Sequence, residues 1–194
     1  MHQGGGLIAL RCLGTTCRAV SRPGGLSPSS FKLLCESFSP YAKWFAFGID
    51  KIEENRLSIK VPFKDEFVGN RSIPAMHGGV VASLIDHVGG FCAWSTLDNP
   101  MDRPVTTSMN IDYHTFAPSV DIVGEAQIVH KSRNLITTEV KVFTDDGGSR
   151  ELLASGTAKF YHHRPGDGGP NIEKQKVLFK AAMEEIRIRE SKLN

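Results

Sequence analysis

The central part of the chain constrains the fold most strongly, because one long and largely apolar helix is predicted there, from His77 to Leu97. Segments with the alternating pattern of strands lie on both sides of it. Two precede it, Phe45–Ile52 and Arg56–Phe63, and four follow it: Val105–Phe116, Val120–His130, Leu135–Thr144 and Leu152–His162. A hairpin, one helix and then a four-stranded meander predict an α+β fold, with an antiparallel sheet packed around one central helix.

Two further helices are predicted outside this unit. Phe31–Phe38 is typical of a short helix that Pro40 stops. After a linker rich in Pro and Gly at residues 164–171, Asn171 is placed to cap a charged amphipathic helix that runs to about Glu190. We therefore divide the chain into a leader at 1–35, a domain at 36–163, and a linker with a C-terminal helix at 164–194.

The leader is defined by its composition. Residues 1–35 contain no Asp or Glu, and their basic residues, Arg11, Arg18, Arg22 and Lys32, lie among Ser, Thr, Gly and small apolar residues. This composition is typical of a mitochondrial or other organellar transit peptide, so we expect a mitochondrial location. The alternative is a plain disordered tail, which would leave a cytoplasmic protein.

Charge and cysteine content exclude several classes. A net charge of +2, with basic residues scattered along the chain, gives no basic stripe for nucleic acid. No apolar run reaches the roughly 20 residues that span a bilayer. The four cysteines form no CxxC pair and have no histidine at metal-ligand spacing, so we expect free thiols and no metal: Cys12, Cys17, Cys35 and Cys92.

A helical wheel of residues 78–95 separates two faces. One is an apolar core stripe that includes Val81, Leu84 and Val88. The other is a strip of small residues around a single ionisable group, Asp86, and consists of Gly79, Ala82, Ser83, Gly89, Gly90 and Ala93. A backbone or a slim ligand could approach this strip closely, and we expect the substrate to contact Gly79, Ser83 and Gly90. A partly desolvated carboxylate there would be an effective general base. The alternative is that Asp86 lies on an exposed polar face.

The start of the helix supplies a second candidate group. In His77-Gly78-Gly79, two glycines follow a histidine, and the first amides of a helix have no internal acceptor. Such amides can stabilise an oxyanion. Gly78 and Asp86 are eight residues apart, which is roughly 12 Å along one helix axis. A base and an oxyanion donor must both approach the same carbonyl carbon, so we expect Gly78 of one subunit to act with Asp86 of another, at a dimer interface.

Three segments carry a resemblance to a known family: Gly69–Asn70, Pro74–Asp86 and Thr106–Tyr113. Together they resemble the PaaI-type thioesterases of the hotdog superfamily, over roughly residues 45–162. The resemblance implies a hotdog fold, dimers or dimers of dimers, and hydrolysis of fatty or aromatic acyl-CoA without a cofactor other than the coenzyme A of the substrate.

The resemblance also implies roles for individual residues. The Gly78 amide, next to His77, would polarise the thioester carbonyl, and Asp86 would act as general base or nucleophile. Asn70 would assist, and Thr106 would hold the water. Asn70 precedes His77 by seven residues where many relatives have six, and Thr106 replaces a common serine.

Other readings remain open. The turn His130–Asn134 could bring Lys131 and Arg133 to the phosphates of coenzyme A, although a solvated turn is equally compatible. A hotdog enoyl-CoA hydratase or dehydratase would use the His77 imidazole itself as acid and base. A non-catalytic acyl-CoA-binding protein would have the same fold without turnover. We read His162 and His163 as surface residues, and we place the acyl pocket near Phe91, Trp94 and Phe116.

Overall fold

The computed structural model describes residues 23–162 and 172–192. Cys12, Cys17, the linker at 164–171, His163 and the predicted cap at Asn171 lie outside the described residues. Four α-helices are present in the described part: α1 (Pro28–Phe38), α2 (Pro40–Phe45), α3 (Gly78–Ser95) and α4 (Ile172–Ser191). The strands are β1 (Gly48–Glu53), β2 (Arg56–Val61), β3 (Val68–Asn70), β4 (Ala75–Met76), β5 (Pro104–Tyr113), β6 (Ile122–Lys131), β7 (Leu135–Thr144) and β8 (Leu152–His162).

Six strands form one antiparallel sheet in the order β1-β2-β6-β7-β8-β5. The predicted α+β class, with a sheet around one central helix, is therefore confirmed. The predicted four-stranded meander is wrong, because β5 pairs with β8 at the sheet edge and β6 pairs with β2. The alternating pattern identifies the segments that form strands, but it does not show which strand pairs with which.

Helix α3 packs across the sheet by its apolar face, as predicted, with Leu84, Ile85 and Val88 fully buried. Two glycines make the close approach possible. A Cβ at Gly124 of β6 would lie 2.9 Å from a Leu84 side-chain atom, and one at Gly89 of α3 would lie 2.8 Å from Thr138 Oγ1. The tandem glycines of α3 therefore allow the sheet to pack closely against the helix, and their role is not limited to contact with a ligand.

The N-terminal helices differ from the expectation at one point. Phe31, Leu34 and Cys35 of α1 are fully buried in the core, although they fall within the range 1–35 assigned to a leader. The packed part of the chain thus begins before residue 36. Helix α2 replaces the start of the predicted strand at Phe45, because Ser39 caps a new helix and proline is well tolerated in the first turn.

The C-terminal helix α4 packs against α1. Ser30 Oγ donates a hydrogen bond of 2.7 Å to Glu190, and Ala182 and Ile186 are buried. At the end of β8, His162 is only 6 % exposed, so the expectation of a surface residue is wrong there. Across the described ranges, none of the helices is long and apolar enough to cross a membrane.

Candidate active site

The middle of α3 and the start of β5 meet at a carboxylate. Asp86 is half-buried, and its Oδ1 accepts a hydrogen bond of 2.6 Å from Thr106 Oγ1. No other described residue donates a hydrogen bond to this carboxylate. A hydrogen bond from a hydroxyl to a carboxylate is a strong one, so it holds Oδ1 in place and leaves Oδ2 available to a water molecule.

A cavity of about 220 Å³ opens beside this pair. Asp86, Thr106 and Gly90 line it, and aromatic side chains form much of the remaining wall: Tyr41, Phe91, Trp94 and Phe160. Phe91 and Trp94 lie where the acyl pocket was expected. Phe116 does not line the cavity and is 74 % exposed.

The N-terminus of α3 presents backbone amides to the surface. His77 is the N-cap, and its Nδ1 accepts a hydrogen bond of 2.9 Å from the Gly79 N–H. A Cβ at Gly79 would lie 2.8 Å from that Nδ1, so glycine is required for this cap. No described residue accepts a hydrogen bond from the Gly78 N–H, and Gly78 is exposed. The Gly78 amide is therefore the group at this helix end that can polarise a carbonyl.

One chain does not bring its two candidate catalytic groups together. Gly78 and Asp86 lie on the same helix about 12 Å apart along its axis. Tyr113, near the end of β5, lies over the helix start, and its hydroxyl donates a hydrogen bond of 3.1 Å to the Gly78 carbonyl. The Gly78 amide and the Asp86 carboxylate are thus two separate candidate half-sites on each chain.

The remaining predicted residues either lie away from the Asp86 cavity or use their side chains in other hydrogen bonds. Ser83 Oγ donates to the Gly79 carbonyl at 2.8 Å, so its hydroxyl is used within α3. The Asn70 side chain is exposed and accepts hydrogen bonds from the Ser72 N–H and hydroxyl. Neither lines the cavity beside Asp86.

Lys131 and Arg133 line a different cavity of about 370 Å³, together with Asp98 and Asp102. The Lys131 ammonium donates a hydrogen bond of 2.7 Å to the Thr96 carbonyl at the C-terminal end of α3. Within one chain these two basic residues are therefore not part of the Asp86 cavity.

Comparisons with known proteins agree with this fold. Residues 74–151, which include α3, Asp86 and Thr106, match the family model described as the thioesterase superfamily. A protein of Saccharolobus solfataricus named as a candidate esterase is 27% identical over 105 residues, which cover 54% of this chain and 72% of that protein.

Comparison with solved structures confirms the hotdog fold of this chain. A thioesterase from Haemophilus influenzae superposes with a TM-score of 0.63 at 14% identity, over 72% of this chain and 92% of its own. A thioesterase family protein from Silicibacter pomeroyi gives 0.62 at 17% identity, over 70% and 99%. The family model and the likeness to the candidate esterase together support a hydrolase that acts on thioesters.

Two residues that line the cavity were missed by the sequence analysis. His87 stacks on Phe45, with ring centroids 5.3 Å apart, and its Nδ1–H donates to the Ser83 carbonyl at 2.7 Å. Burial lowers the pKa of His87 from its ordinary value, against the opposing effects of that hydrogen bond and the Asp86 charge. Arg103, just before β5, is the other. Neither His87 nor Arg103 belongs to a motif that the sequence pattern indicated.

Proposed function

We propose that this chain is a PaaI-type acyl-CoA thioesterase, which hydrolyses the thioester of a fatty or aromatic acyl-CoA to the free acid and coenzyme A. The observation that carries the proposal is the Asp86 carboxylate, held by Thr106 at the wall of an aromatic cavity. An acyl group in that cavity would place its thioester beside the carboxylate.

The chemistry follows from these groups. Asp86 accepts a proton from a water molecule as the water oxygen attacks the thioester carbonyl carbon. The carbonyl oxygen becomes an oxyanion, which the Gly78 amide of the second subunit stabilises. Collapse of this intermediate breaks the carbon–sulfur bond, and the coenzyme A thiolate takes the proton from Asp86. If Asp86 instead attacks directly, its oxygen bonds to the carbonyl carbon as the carbon–sulfur bond breaks, and coenzyme A leaves as a thiolate that takes a proton from water. Water then hydrolyses the acyl-enzyme anhydride to the free acid and regenerates the Asp86 carboxylate.

A homodimer would join the two half-sites. Strand β5 lies at the edge of the sheet with 10 residues, and in the described part of the chain it pairs only with β8. Val105, Met109 and Tyr113 on this strand are exposed, at 55%, 38% and 53%. A long and apolar edge strand is a template for pairing with a second chain. We propose that two β5 strands meet there, with dimers or dimers of dimers as the assembly.

Substitution of Asp86 tests the reaction. Asp86→Asn should keep the fold and remove nearly all turnover, measured as thiol release from a panel of acyl-CoA thioesters. Asp50→Asn, at an exposed carboxylate on β1, is the matched control and should keep wild-type turnover. Wild-type hydrolysis by Asp86→Asn would overturn the mechanism.

The shared site can be tested by mixing two nearly inactive variants. Gly78→Pro removes the N–H, and the helix should tolerate it, because proline is favoured at the first helical position and His77, at φ −63° and ψ 135°, already has the conformation that precedes proline. Gly78→Ala keeps the N–H, and its Cβ would make only ordinary contact with Tyr113, at 3.5 Å.

We expect Gly78→Pro to lose about 100- to 1,000-fold in kcat, the cost of removing one oxyanion donor, and Gly78→Ala to keep most activity. Unfolding and refolding Gly78→Pro together with Asp86→Asn should restore about a quarter of wild-type activity, since about half of the dimers are mixed and each has one intact site. An inactive mixture, with mixed dimers present, would show that both groups act within one chain.

The two alternatives give different results. A hydratase or dehydratase requires the His77 imidazole, so His77→Ala would abolish it, whereas a thioesterase would lose only part of its rate. An acyl-CoA-binding protein would bind the same ligands without releasing thiol. The Nδ1 of His77 is used as the cap of α3, which favours a positioning role for this residue.

The remaining assignments are also proposals. We propose that Asn70 assists at the site and that Gly79, Ser83 and Gly90 contact the substrate. Lys131 and Arg133 would meet the phosphates of coenzyme A, although Asp98 and Asp102 in the same cavity reduce the positive charge there. We also propose a mitochondrial location and a reaction without metal or prosthetic group, so dialysis against a chelator should leave turnover unchanged.

A further inference from the structure

Arg103 carries a positive charge into the wall of the Asp86 cavity. It is half-buried and lies over two aromatic rings, with its guanidinium carbon 4.6 Å from the centroid of Phe38 and 5.6 Å from that of Trp94. The two rings meet edge to face with their centroids 5.9 Å apart, so they attract the cation without enclosing it between them. This packing leaves the N–H donors of the guanidinium able to bind a ligand.

This cation has no charged partner in the described part of the chain, and no described group accepts a hydrogen bond from it. Arg150 shows the contrast: it also covers an aromatic ring, Phe143 at 4.5 Å, but it pairs with Glu125 at 3.0 Å. Burial lowers the pKa of Arg103 from its ordinary value, although an arginine stays protonated at neutral pH. Partial burial of an unpaired charge is unfavourable unless an anion binds there.

The distance from the reacting carbon is set by the secondary structure. Trp94 follows Asp86 by eight helical residues, which is roughly 12 Å along the α3 axis. Arg103 precedes Thr106 by three residues, which is roughly 10 Å along an extended strand. The guanidinium therefore lies at the opposite end of the cavity from the carboxylate.

We propose that Arg103 binds an anionic group at the far end of the acyl chain, so that the preferred substrates are thioesters whose acyl group carries a second carboxylate. This inference rests on the proposed thioesterase function and adds its substrate class. A carboxylate matches the planar fork of an arginine, which can donate two parallel hydrogen bonds to it.

The phosphates of coenzyme A are the other source of an anion. The space between Asp86 and Arg103 favours the acyl group, because aromatic side chains line it and its volume of about 220 Å³ is modest. An apolar cavity of about 150 Å³ accepts benzene. This space is therefore large enough for a short or ring-sized acyl group, while the nucleotide remains outside.

The test compares pairs of acyl-CoA thioesters of equal chain length, with and without a terminal carboxylate. Arg103→Met removes the charge but keeps an unbranched apolar chain against Phe38 and Trp94. Arg150→Met is the matched control, since it removes an arginine of similar packing outside the cavity. Arg103→Lys keeps the charge but not the fork. Thermal unfolding of each variant reports any loss of packing.

Wild type and Arg150→Met should prefer the carboxylated member of each pair by about 10- to 100-fold in kcat/KM, the range of a hydrogen-bonded ion pair. Arg103→Met should lose that preference, because its rate falls far more on the carboxylated member than on the neutral one. Arg103→Lys should keep a smaller preference. Equal wild-type rates on both members would overturn the inference and leave thioester hydrolysis intact.

Two further arms separate the sources and the functions. If Arg103 binds the coenzyme A phosphates, Arg103→Met will lower kcat/KM for both members equally and have no effect on pantetheine thioesters, which overturns the acyl assignment. Binding of non-hydrolysable thioether analogues is measured by calorimetry. Tighter binding of the carboxylated analogue, lost in Arg103→Met, would support the inference even if no thioester were hydrolysed. Equal binding of both analogues would overturn it.

Discussion

The hydrogen bond from Thr106 to Asp86 gives the sharpest prediction about the candidate base. Thr106→Val replaces the hydroxyl with a methyl group of similar size and leaves the rest of β5 unchanged. The lost bond is short, at 2.6 Å, and its acceptor is a carboxylate. Hydrogen bonds to charged groups contribute about 1.5–3 kcal/mol. Thr106 is exposed, so water can replace part of this bond and the lower end of the range applies.

We therefore expect Thr106→Val to lower kcat/KM by about 5- to 30-fold, which corresponds to 1–2 kcal/mol. The loss should appear in kcat, because the bond positions the carboxylate and does not hold the acyl chain. Initial rates of thiol release at several substrate concentrations separate kcat from KM. Thr106→Ser keeps the hydroxyl and should restore most of the rate.

Thr107 provides the control on the same strand. It is also exposed, and its hydroxyl donates to the Lys159 carbonyl at 3.0 Å, away from Asp86. Thr107→Val should leave kcat within about twofold, as expected for surface substitutions. In an Asp86→Asn background, Thr106→Val should have no further effect. An unchanged kcat in Thr106→Val, or an equal loss in Thr107→Val, would refute the positioning role.

Three other predictions concern stability. Because burial lowers the folded-state pKa of His87, the unfolded chain takes up a proton first as the pH falls. The free energy of unfolding should therefore decrease below about pH 6.5, by at most about 1.4 kcal/mol per pH unit. His87→Gln should flatten this dependence in denaturant titrations. Phe31→Ala should lower the free energy of unfolding by about 3–5 kcal/mol. An unchanged free energy of unfolding would show that this segment is part of the leader and does not stabilise the domain. Gly89→Ala should cost about 1–3 kcal/mol, because its Cβ would meet Thr138, whereas Gly48→Ala, with open space around it, should be neutral.

Periodicity predicted the elements of the fold well, since a central helix and strands with alternating burial leave a local pattern. The same pattern fails at the pairing of β5, because alternation shows which face of a strand is apolar but not which strand lies beside it. Periodicity did identify the helix at Phe31–Phe38, but the acid-free composition of residues 1–35 placed Phe31 in the leader, because composition does not show which residues pack. Which residues pack is decided by contacts with α4 and the core, which are distant in sequence.

The candidate site divides in the same way. Asp86 and the helix start were found because helical spacing places them, and Thr106 was found through the family resemblance. The sequence could not identify Arg103 or His87 as cavity residues. Arg103 is held at the cavity by contacts with the rings of Phe38 and Trp94, which come from two separate helices. An interaction of this kind leaves no periodic signal in the chain.

The strand that positions Asp86 is also the strand proposed to form the dimer. Thr106 lies on β5, whose outer edge has no strand partner in the described part of the chain. Pairing of two β5 strands would fix this edge, and with it the hydroxyl that holds the carboxylate. Dissociation would therefore remove the Gly78 amide of the second subunit and also loosen the base. On dilution to monomers, we expect the activity per subunit to fall by a larger factor than loss of the Gly78 amide alone would cause. Charge substitution at the edge, Met109→Lys, should yield monomers with less activity than the Gly78→Pro dimer. Monomers as active as that dimer would show that the edge does not hold the base.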